Sequence, residues 1–494
     1  MYGEEKSDSL IVAANLANNP QGAESVERRS GAKGNAEQPH RRRTQSRESM
    51  SQRLSRVREA AKQRKKERFT ALFHLLTVEA LEAAFLSLSR KAAAGVDGIR
   101  WMDYAGNMKN NITDLHRRLH QGSYRAQPGR RHYIPKADGK QRPLGIASLE
   151  DKIVQYALVK ILNAVYENDF MGFSYGFRPG RSQHDALDAL ATGLVRTNVN
   201  WVLDADISQF FDRVSHEWLI RFTEHRIGDR RVIRLIRKWL TAGTSEEGQW
   251  RATEEGTPQG AVISPLLANI YLHYVFDLWA HQWRRRHATG NVVMVRYADD
   301  IVIGFDKRID AQCFRIAMQR RLKEFGLTVH PKKTRLTEFG RFAAENRASR
   351  GKGKPETFNF LGFTHISGKD RSGRFMLIRK TRRDRMTATL KAIKDGLRKR
   401  WHYSIPEQGK WLRRVVQGYL NYHSVPGNYP MMRKFRIYVT DLWRRALRRR
   451  SQQDDTTWTK ANRLAAVWLP KVRVLHPWPV ERFTARHPRQ EPGA

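Results

Sequence analysis

The chain has 494 residues, of which 91 are Lys or Arg and 49 are Asp or Glu, giving a formal net charge of +42. This excess is typical of proteins that bind polyanions such as nucleic acids. A basic membrane protein is the alternative, but no stretch reaches the ~18 consecutive apolar residues that a spanning helix needs. The single cysteine, Cys313, excludes an intramolecular disulfide, is interpreted as an inert thiol and fits a reducing cytoplasm.

The N-terminal region changes character near residue 50. Residues 1–50 are rich in Gly, Asn, Gln, Ser, Ala and Arg without a sustained period, which predicts a disordered basic extension. Apolar residues then recur at helical spacing through residues 51–92. Residues 41–69 contain 12 Lys or Arg and 3 Asp or Glu; because this excess has one sign, we expect RNA contact rather than only a solvated face.

The next pattern is a hairpin that carries two cations. Lys136 and Arg142 lie on either side of the turn sequence 137–140, so that a hairpin would return them to one site. An arginine and a lysine there suit an incoming triphosphate, which arginine can bind with two parallel hydrogen bonds. The alternative is a pair of solvated hairpin charges, and the pattern alone slightly favours that alternative.

A first carboxylate site follows at residues 201–212. Residues 201–207 form a predicted strand with Asp206 near its end. Asp204 has the same strand parity as Asp206, so alternation cannot choose between them. Asp212 is interpreted as the cap of a helix that begins near Ser215.

The segment 256–260, Gly-Thr-Pro-Gln-Gly, predicts a loop in which glycines let backbone approach a ligand closely. Gln259 would then hydrogen-bond template, primer or nucleotide. The alternative is an ordinary loop before the next helix.

A second carboxylate site, Asp299 and Asp300, interrupts an apolar run that extends from residue 293 to residue 303. Such flanks predict a tight hairpin in a buried sheet, where adjacent carboxylates repel each other and lose hydration. A divalent cation such as Mg²⁺ removes this cost, and two-metal phosphoryl transfer uses carboxylates from separate strands. We therefore expect Asp206 and Asp299 to bridge two ions, with Asp300 in support; the alternative is a solvated surface turn.

Toward the C-terminus, residues 376–450 hold 21 Lys or Arg and 4 Asp or Glu. Their apolar residues predict three amphipathic helices that pack together and leave a basic surface. Five arginines of the third helix are predicted to project outward and bind RNA: Arg444, Arg445, Arg448, Arg449 and Arg450. The tail after residue 460 mixes aromatic residues with cations, which suits either single-strand binding or a strap that packs Trp478 on the helices.

The order of these blocks resembles that of reverse transcriptases, and more specifically of the reverse transcriptase/maturase encoded by bacterial group II introns. The resemblance covers roughly residues 68–490, and the joint order makes it specific although single blocks are weak. The blocks that carry it are 94–98, 134–146, 173–182, 206–212, 256–270, 297–300, 330–334 and 358–362, with the maturase-like segments 418–422 and 425–428. Ala261 and His423 depart from the family, which usually has Gly and Tyr there.

The resemblance implies an α+β right-hand polymerase, with fingers and a palm that contains an antiparallel sheet, plus an all-α basic thumb. The implied boundaries are a 1–50 extension, fingers and palm at 51–370, a thumb or maturase domain at 371–460 and a 461–494 tail. No endonuclease domain is expected, since there is no cysteine pair to bind zinc.

The resemblance also assigns roles to single residues. Phe211 would lie under the nucleotide sugar and exclude a 2′-hydroxyl, although periodicity alone places it in the core beside Phe210. Lys333 would protonate the leaving pyrophosphate, with Lys332 as its rival. The main-chain oxygen of Ile207 would join Asp206, Asp299 and Asp300 as a metal ligand, and Lys136, Arg142, Phe211, Gln259 and Lys333 would bind the nucleotide.

The implied function is RNA-directed DNA synthesis with two Mg²⁺ ions, or Mn²⁺ in their place, coupled to intron RNA binding, splicing assistance and mobility. The implied partners are intron RNA, an RNA template with a DNA primer, target DNA and dNTPs, in a cytoplasmic bacterial ribonucleoprotein without a membrane. Two alternatives stand: a retron or defence-type reverse transcriptase without a splicing role, and a non-catalytic RNA-binding splicing factor.

Overall fold

The computed structural model describes residues 40–135, 141–450 and 456–486. The fold in these ranges is α+β, with three separate sheets. None of their helices combines the length and the apolar character that crossing a membrane requires.

The described ranges contain seventeen α-helices and eleven strands, numbered here in chain order. The helices are α1 His40–Gln63, α2 Val78–Ser87, α3 Trp101–Ala105, α4 Met108–Gln121, α5 Leu149–Tyr166, α6 Gln183–Arg196, α7 His216–Glu224, α8 Arg230–Thr241, α9 Ser264–Leu272, α10 Leu278–His287, α11 Arg308–Glu324, α12 Ala343–Ala348, α13 Arg383–Arg398, α14 Ile405–His423, α15 Tyr429–Arg448, α16 Trp458–Trp468 and α17 Pro479–Arg486. The strands are β1 Gly129–Pro135, β2 Gln141–Ile146, β3 Trp201–Asp206, β4 Thr244–Glu246, β5 Gln249–Arg251, β6 Val292–Tyr297, β7 Asp300–Phe305, β8 Arg335–Glu338, β9 Phe358–Phe360, β10 Phe363–Lys369 and β11 Phe375–Thr381.

The central sheet has the order β6-β7-β3-β8, and each neighbouring pair is antiparallel. β6 and β7 form the predicted tight hairpin, and their β-branched residues are almost completely buried. This burial on both faces explains why the two strands read as nearly continuous apolar runs.

The second sheet has the order β2-β1-β4-β5 and contains the predicted hairpin of β1 and β2. The two strands pair as far as Pro135 opposite Gln141. Lys136 lies in 136–140, outside the described residues, whereas Arg142 is in β2.

The expected disordered extension to residue 50 is wrong in its last part, because α1 already begins at His40. Apolar positions on this helix, Met50, Leu54, Val57 and Ala61, pack against the main core, and this packing compensates the repulsion among its cations. Residues 1–39 lie outside the described residues.

Three C-terminal helices form where the sequence predicts them, as α13, α14 and α15. They share a second apolar cluster around Trp443, and α16 joins that cluster through Ala465 and Leu469. The cluster therefore continues beyond the expected boundary at residue 460.

The tail returns to the main core. Phe483 of α17 is buried there, and Arg482 pairs with Asp188 of α6. Trp478 stays about half exposed at 49%. The described part of the tail is thus a strap, but it packs on α6 through Phe483 rather than through Trp478.

Candidate active site

Three aspartates lie close together in the fold, at one edge of the central sheet. β3 ends at Asp206, which pairs directly with Asp300, the first residue of β7. Asp299 precedes it in the hairpin turn. On the other side of β3, the main-chain N–H of His330 donates to the Asp206 carbonyl at 2.7 Å. The fold therefore brings together the three aspartates that the sequence singles out.

The charges at this edge are crowded. Burial and then repulsion from Asp206 raise the pKa of Asp299. Burial, followed by repulsion from Asp299 and Asp206, raises the pKa of Asp300 to about 6, and attraction to Lys333 and Arg382 opposes this shift. The one cation in direct contact with Asp206 in the described residues is Lys333, whose Nζ lies 3.1 Å from Asp206 Oδ2.

The donor set fits a hard divalent cation, which prefers carboxylate oxygens. In the described part of the chain, no three His, Cys, Asp or Glu side chains form a ready-made cluster that could hold a metal. Repulsion between like charges opposes close approach of the Asp206, Asp299 and Asp300 carboxylates in the protein itself.

Asp204 and Asp212 differ from the catalytic candidates. Asp204 lies on the same face of β3 as Asp206, where burial and then repulsion from Asp300 and Asp206 raise its pKa to about 7. The expected capping role of Asp212 is wrong: Ser215 itself caps α7 by accepting a hydrogen bond from the N–H of Trp218. Asp212 instead accepts from Gln259.

The predicted nucleotide-binding residues Arg142 and Gln259 are directly linked. Arg142 Nε donates to Gln259 Oε1 at 2.8 Å, and Gln259 Nε2 donates to Asp212 Oδ1 at 3.1 Å. The positive charge of Arg142 also acts to lower the pKa of Asp299. These hydrogen bonds therefore connect the second sheet to Asp212, and the charge of Arg142 acts on Asp299 without a hydrogen bond to it.

The glycines of the 256–260 loop bring backbone against backbone. At Gly256, where φ is +85°, a side chain would meet the main-chain oxygen of Phe211 at 2.8 Å. The N–H of Thr257 donates to that same oxygen at 2.7 Å. The loop thus fixes the backbone of Phe211, whose ring is partly buried and lies edge-on to the core residue Phe210.

Sequence reasoning misses a buried ion pair beneath the hairpin turn. Arg296 Nη2 lies 2.6 Å from Asp277 Oδ2, and both side chains are 0% exposed. An arginine inside the apolar run of β6 and an aspartate inside the apolar helical segment 264–283 each indicate a buried charge. Neither signal identifies the partner.

The five arginines predicted to bind RNA are not equivalent. Arg445, Arg448 and Arg449 are exposed on the last turns of α15 or just beyond it. Arg444 is only 16% exposed, pairs with Asp441 at 3.1 Å, and lies over an aromatic ring of α16. Arg450 donates to a main-chain carbonyl. Arg445 pairs with the same Asp441 at 2.7 Å but stays 67% exposed. The expectation that all five project outward is therefore wrong for Arg444, and Arg450 is only partly exposed.

Comparison with known proteins agrees with this geometry. Residues 134–365 match the family described as reverse transcriptase (RNA-dependent DNA polymerase). Protein YkfC of Escherichia coli is 42% identical over 206 residues, which is 41% of this chain and 54% of that protein. The group II intron-encoded protein LtrA of Lactococcus lactis is 38% identical over 222 residues, covering 44% of this chain and 37% of LtrA.

A longer and weaker match is the putative COX1/OXI3 intron 1 protein of Saccharomyces cerevisiae, 26% identical over 396 residues, 66% of this chain and 46% of that protein. The chain thus spans about half, or less, of the length of these relatives.

Proposed function

We propose that this chain, whose residues 134–365 form a reverse transcriptase domain and which is related to group II intron-encoded proteins, copies RNA into DNA and binds intron RNA to assist splicing and mobility. The observation that carries the proposal is the meeting of Asp206, Asp299 and Asp300 at one edge of an antiparallel sheet inside that domain. Carboxylates from separate strands at one edge are what two-metal nucleotidyl transfer requires.

In this proposal the central sheet is the palm of a right-hand polymerase. The sheet of β1, β2, β4 and β5 with its neighbouring helices forms the fingers, and α13–α16 form the thumb or maturase domain. The hydrogen-bonded pair of Arg142 and Gln259 supports this assignment, since it extends from β2 to the loop that touches Phe211.

Asp206, Asp299 and Asp300, with the main-chain oxygen of Ile207, would hold two Mg²⁺ or Mn²⁺ ions. When bound, such ions activate the primer 3′-hydroxyl and neutralise the triphosphate and the leaving pyrophosphate. The raised pKa values of Asp299 and Asp300 are consistent with this role, because burial and then repulsion between neighbouring carboxylates disfavour their ionised forms, a cost that bound cations would remove.

The nucleotide would contact the remaining site residues. Lys136 and Arg142 bind its phosphates, and Gln259 orients it by hydrogen bonding. The ring of Phe211 lies against the sugar and excludes a 2′-hydroxyl. Lys333, already 3.1 Å from Asp206, carries a proton that it can donate to pyrophosphate.

Arg445, Arg448 and Arg449 would bind phosphates of intron RNA. The partners proposed are therefore intron RNA, primed RNA template, target DNA and dNTPs, within a ribonucleoprotein of the bacterial cytoplasm. The non-catalytic alternative is disfavoured by the intact set of aspartates, and the retron-like alternative by the match to LtrA.

The test is extension of a DNA primer on an RNA template with Mg²⁺. We expect Asp206→Asn to abolish extension, since an amide cannot supply the charge that the ions require, and Asp204→Asn to retain it. Asp204 is the matched control because it occupies the same face of β3. Equal activity of wild type and Asp206→Asn would contradict the two-metal assignment, and retention of splicing assistance by Asp206→Asn would show that RNA binding is separate from polymerisation.

A further inference from the structure

We infer that the buried pair of Arg296 and Asp277 is a positioning device that sets the Asp299 turn for cation binding. This inference rests on the proposed function and adds residues that lie beneath the site rather than in it.

All five N–H donors of Arg296 are used. Nε and Nη2 donate to the two carboxylate oxygens of Asp277 at 2.7 and 2.6 Å, and Nη2 also donates to Ser174 Oγ at 2.7 Å. Nη1 donates to Asn269 Oδ1 at 3.2 Å and to the main-chain oxygen of Ala298 at 2.9 Å. The last bond matters most, because the Ala298 carbonyl belongs to the peptide that leads into Asp299.

The turn needs such support. Ala298 has φ of +55°, a left-handed conformation that is strained for an L-residue and persists only where its surroundings impose it. A second support comes from Gly176, where a Cβ would lie 2.2 Å from the N atom of Ala298. Asn269 connects the two supports, since its Nδ2 donates to the Gly176 carbonyl at 2.7 Å while its Oδ1 accepts from Arg296.

A helix irregularity allows both partners to reach Arg296. Between α9 and α10, residues His273–Asp277 form a π-helical turn, which inserts one residue into the helical repeat. In an uninterrupted α-helix, Asn269 and Asp277 would point about 80° apart, but with one residue inserted they fall within about 20° of each other. The π turn therefore aligns an amide and a carboxylate on one guanidinium.

The charge balance also fits a positioning role. Without Asp277, Arg296 would be an unpaired cation in the core, which is strongly destabilising, so each member of the pair requires the other. The buried guanidinium lies next to the turn, where it binds the Ala298 carbonyl, and its charge is balanced by Asp277 within the core.

The test compares two buried ion pairs. Asp277→Asn removes the charge that holds Arg296, and Asp169→Asn does the same for Arg226, whose Nε lies 2.7 Å from Asp169 on the N-terminal side of the molecule. Both variants should unfold at lower temperature. Only Asp277→Asn should raise, several-fold, the Mg²⁺ concentration needed for half-maximal primer extension, with unchanged affinity for the primer–template.

If Asp277→Asn does not fold, two variants that each remove only one hydrogen-bond acceptor from Arg296 test the same inference. Asn269→Ala removes an acceptor from Nη1, the nitrogen that holds Ala298, whereas Ser174→Ala removes one from Nη2. We expect Asn269→Ala to weaken Mn²⁺ binding several-fold, measured by electron paramagnetic resonance on protein with primer–template, and excess Mn²⁺ to restore its extension. Ser174→Ala should leave Mn²⁺ binding close to wild type.

The outcomes separate this inference from the proposed function. If Asp277→Asn and Asn269→Ala lower only the unfolding temperature, as Asp169→Asn does, the pair is structural and the positioning role is wrong. If wild type neither extends primers nor binds Mn²⁺ more tightly than Asp206→Asn, the proposed function itself fails.

Discussion

The edge of the central sheet and the surface of the C-terminal helices concentrate opposite charges in different ways. At the sheet edge, a few carboxylates lie close together on a rigid antiparallel sheet, supported from beneath by a buried ion pair. On α15, the exposed cations Arg445, Arg448 and Arg449 are spread along a helix end. If the proposed roles are right, loss of a single charge should abolish chemistry at the first region, whereas RNA binding at the second should depend on the sum of several weak contacts.

The largest effect is expected at the turn. Asp299→Asn should remove all measurable Mg²⁺-dependent primer extension while RNA affinity remains, because the amide lowers the negative charge available to the ions. Asp300→Asn should reduce extension less, since Asp300 has access to solvent. Parallel assays of extension and RNA binding check this, and an Asp299→Asn protein with near wild-type extension would break the proposed assignment of the sheet edge.

Sugar selection gives the next largest effect. Phe211→Val should raise incorporation of ribonucleotides relative to deoxyribonucleotides, on the order of tenfold to a hundredfold, because the surface that collides with a 2′-hydroxyl is removed. The ratio of kcat/KM for the two nucleotides measures this. Phe210→Leu is the matched control, since Phe210 is only 2% exposed and should affect stability alone. An unchanged ratio in folded Phe211→Val would place Phe211 in the core.

Replacing exposed arginines at the end of α15 should have a smaller effect, a graded loss of RNA affinity. Changing Arg445, Arg448 and Arg449 together to Gln should weaken intron RNA binding and reduce the salt slope by about 0.9 for each lost phosphate contact, or about 0.7 on single strands. Stability should hardly change because exposed charges contribute little to folding. Arg320→Gln with Lys323→Gln on α11 controls for charge removal as such. An unchanged salt slope would mean that the three arginines are only a solvated face.

The smallest effect concerns pH and stability. The pKa of Asp204 is about 7 in the folded protein, above its value of about 3.9 in an unfolded chain, so the folded state holds this proton more tightly and loses stability as pH rises from 4 to 7. Asp204→Asn should therefore raise the free energy of unfolding of the metal-free protein, relative to wild type, more at pH 8 than at pH 5. The expected difference between the two gains is on the order of 1–2 kcal/mol after allowance for local relaxation.

Asp370 provides a contrast of opposite sign. A hydrogen bond from the N–H of Arg374 lowers the pKa of Asp370, so its contribution to stability is present above pH 4 and Asp370→Asn should give no gain at pH 8. Chemical denaturation at both pH values compares the two variants. A stability gain in Asp204→Asn that is independent of pH would show that charge crowding at the sheet edge is not its cause.

Much of the sheet edge is predictable from sequence because its signals are local. The apolar runs around Asp299 and Asp300 predict the hairpin, and the sequence predicts a strand over 201–207 with Asp206 near its end, which the structure ends at Asp206. Their pairing confirms that the two carboxylate sites share one sheet. Alternation alone could not choose Asp206 over Asp204, since both lie on the same face.

The missed features depend on contacts between distant segments. Nothing in the sequence around Arg296 indicates that a π turn places Asp277 under it, because such a turn has no clear residue signature. Helical spacing predicts that Arg444 faces outward, but it pairs with Asp441 and lies over the ring of Trp458. The packing of Met50, Leu54, Val57 and Ala61 of α1 against the core is likewise a contact between distant segments, which composition alone cannot reveal.

The most direct measurement is a crossed comparison of two variants, Asp206→Asn and the Arg445, Arg448 and Arg449 triple Gln variant, in two assays. The assays are Mg²⁺-dependent extension on a short primer–template and equilibrium binding of intron RNA. We predict that Asp206→Asn loses extension and keeps RNA affinity, and that the triple variant keeps extension and loses RNA affinity. Loss of both activities in both variants would contradict the claim that chemistry and RNA binding reside in separate regions.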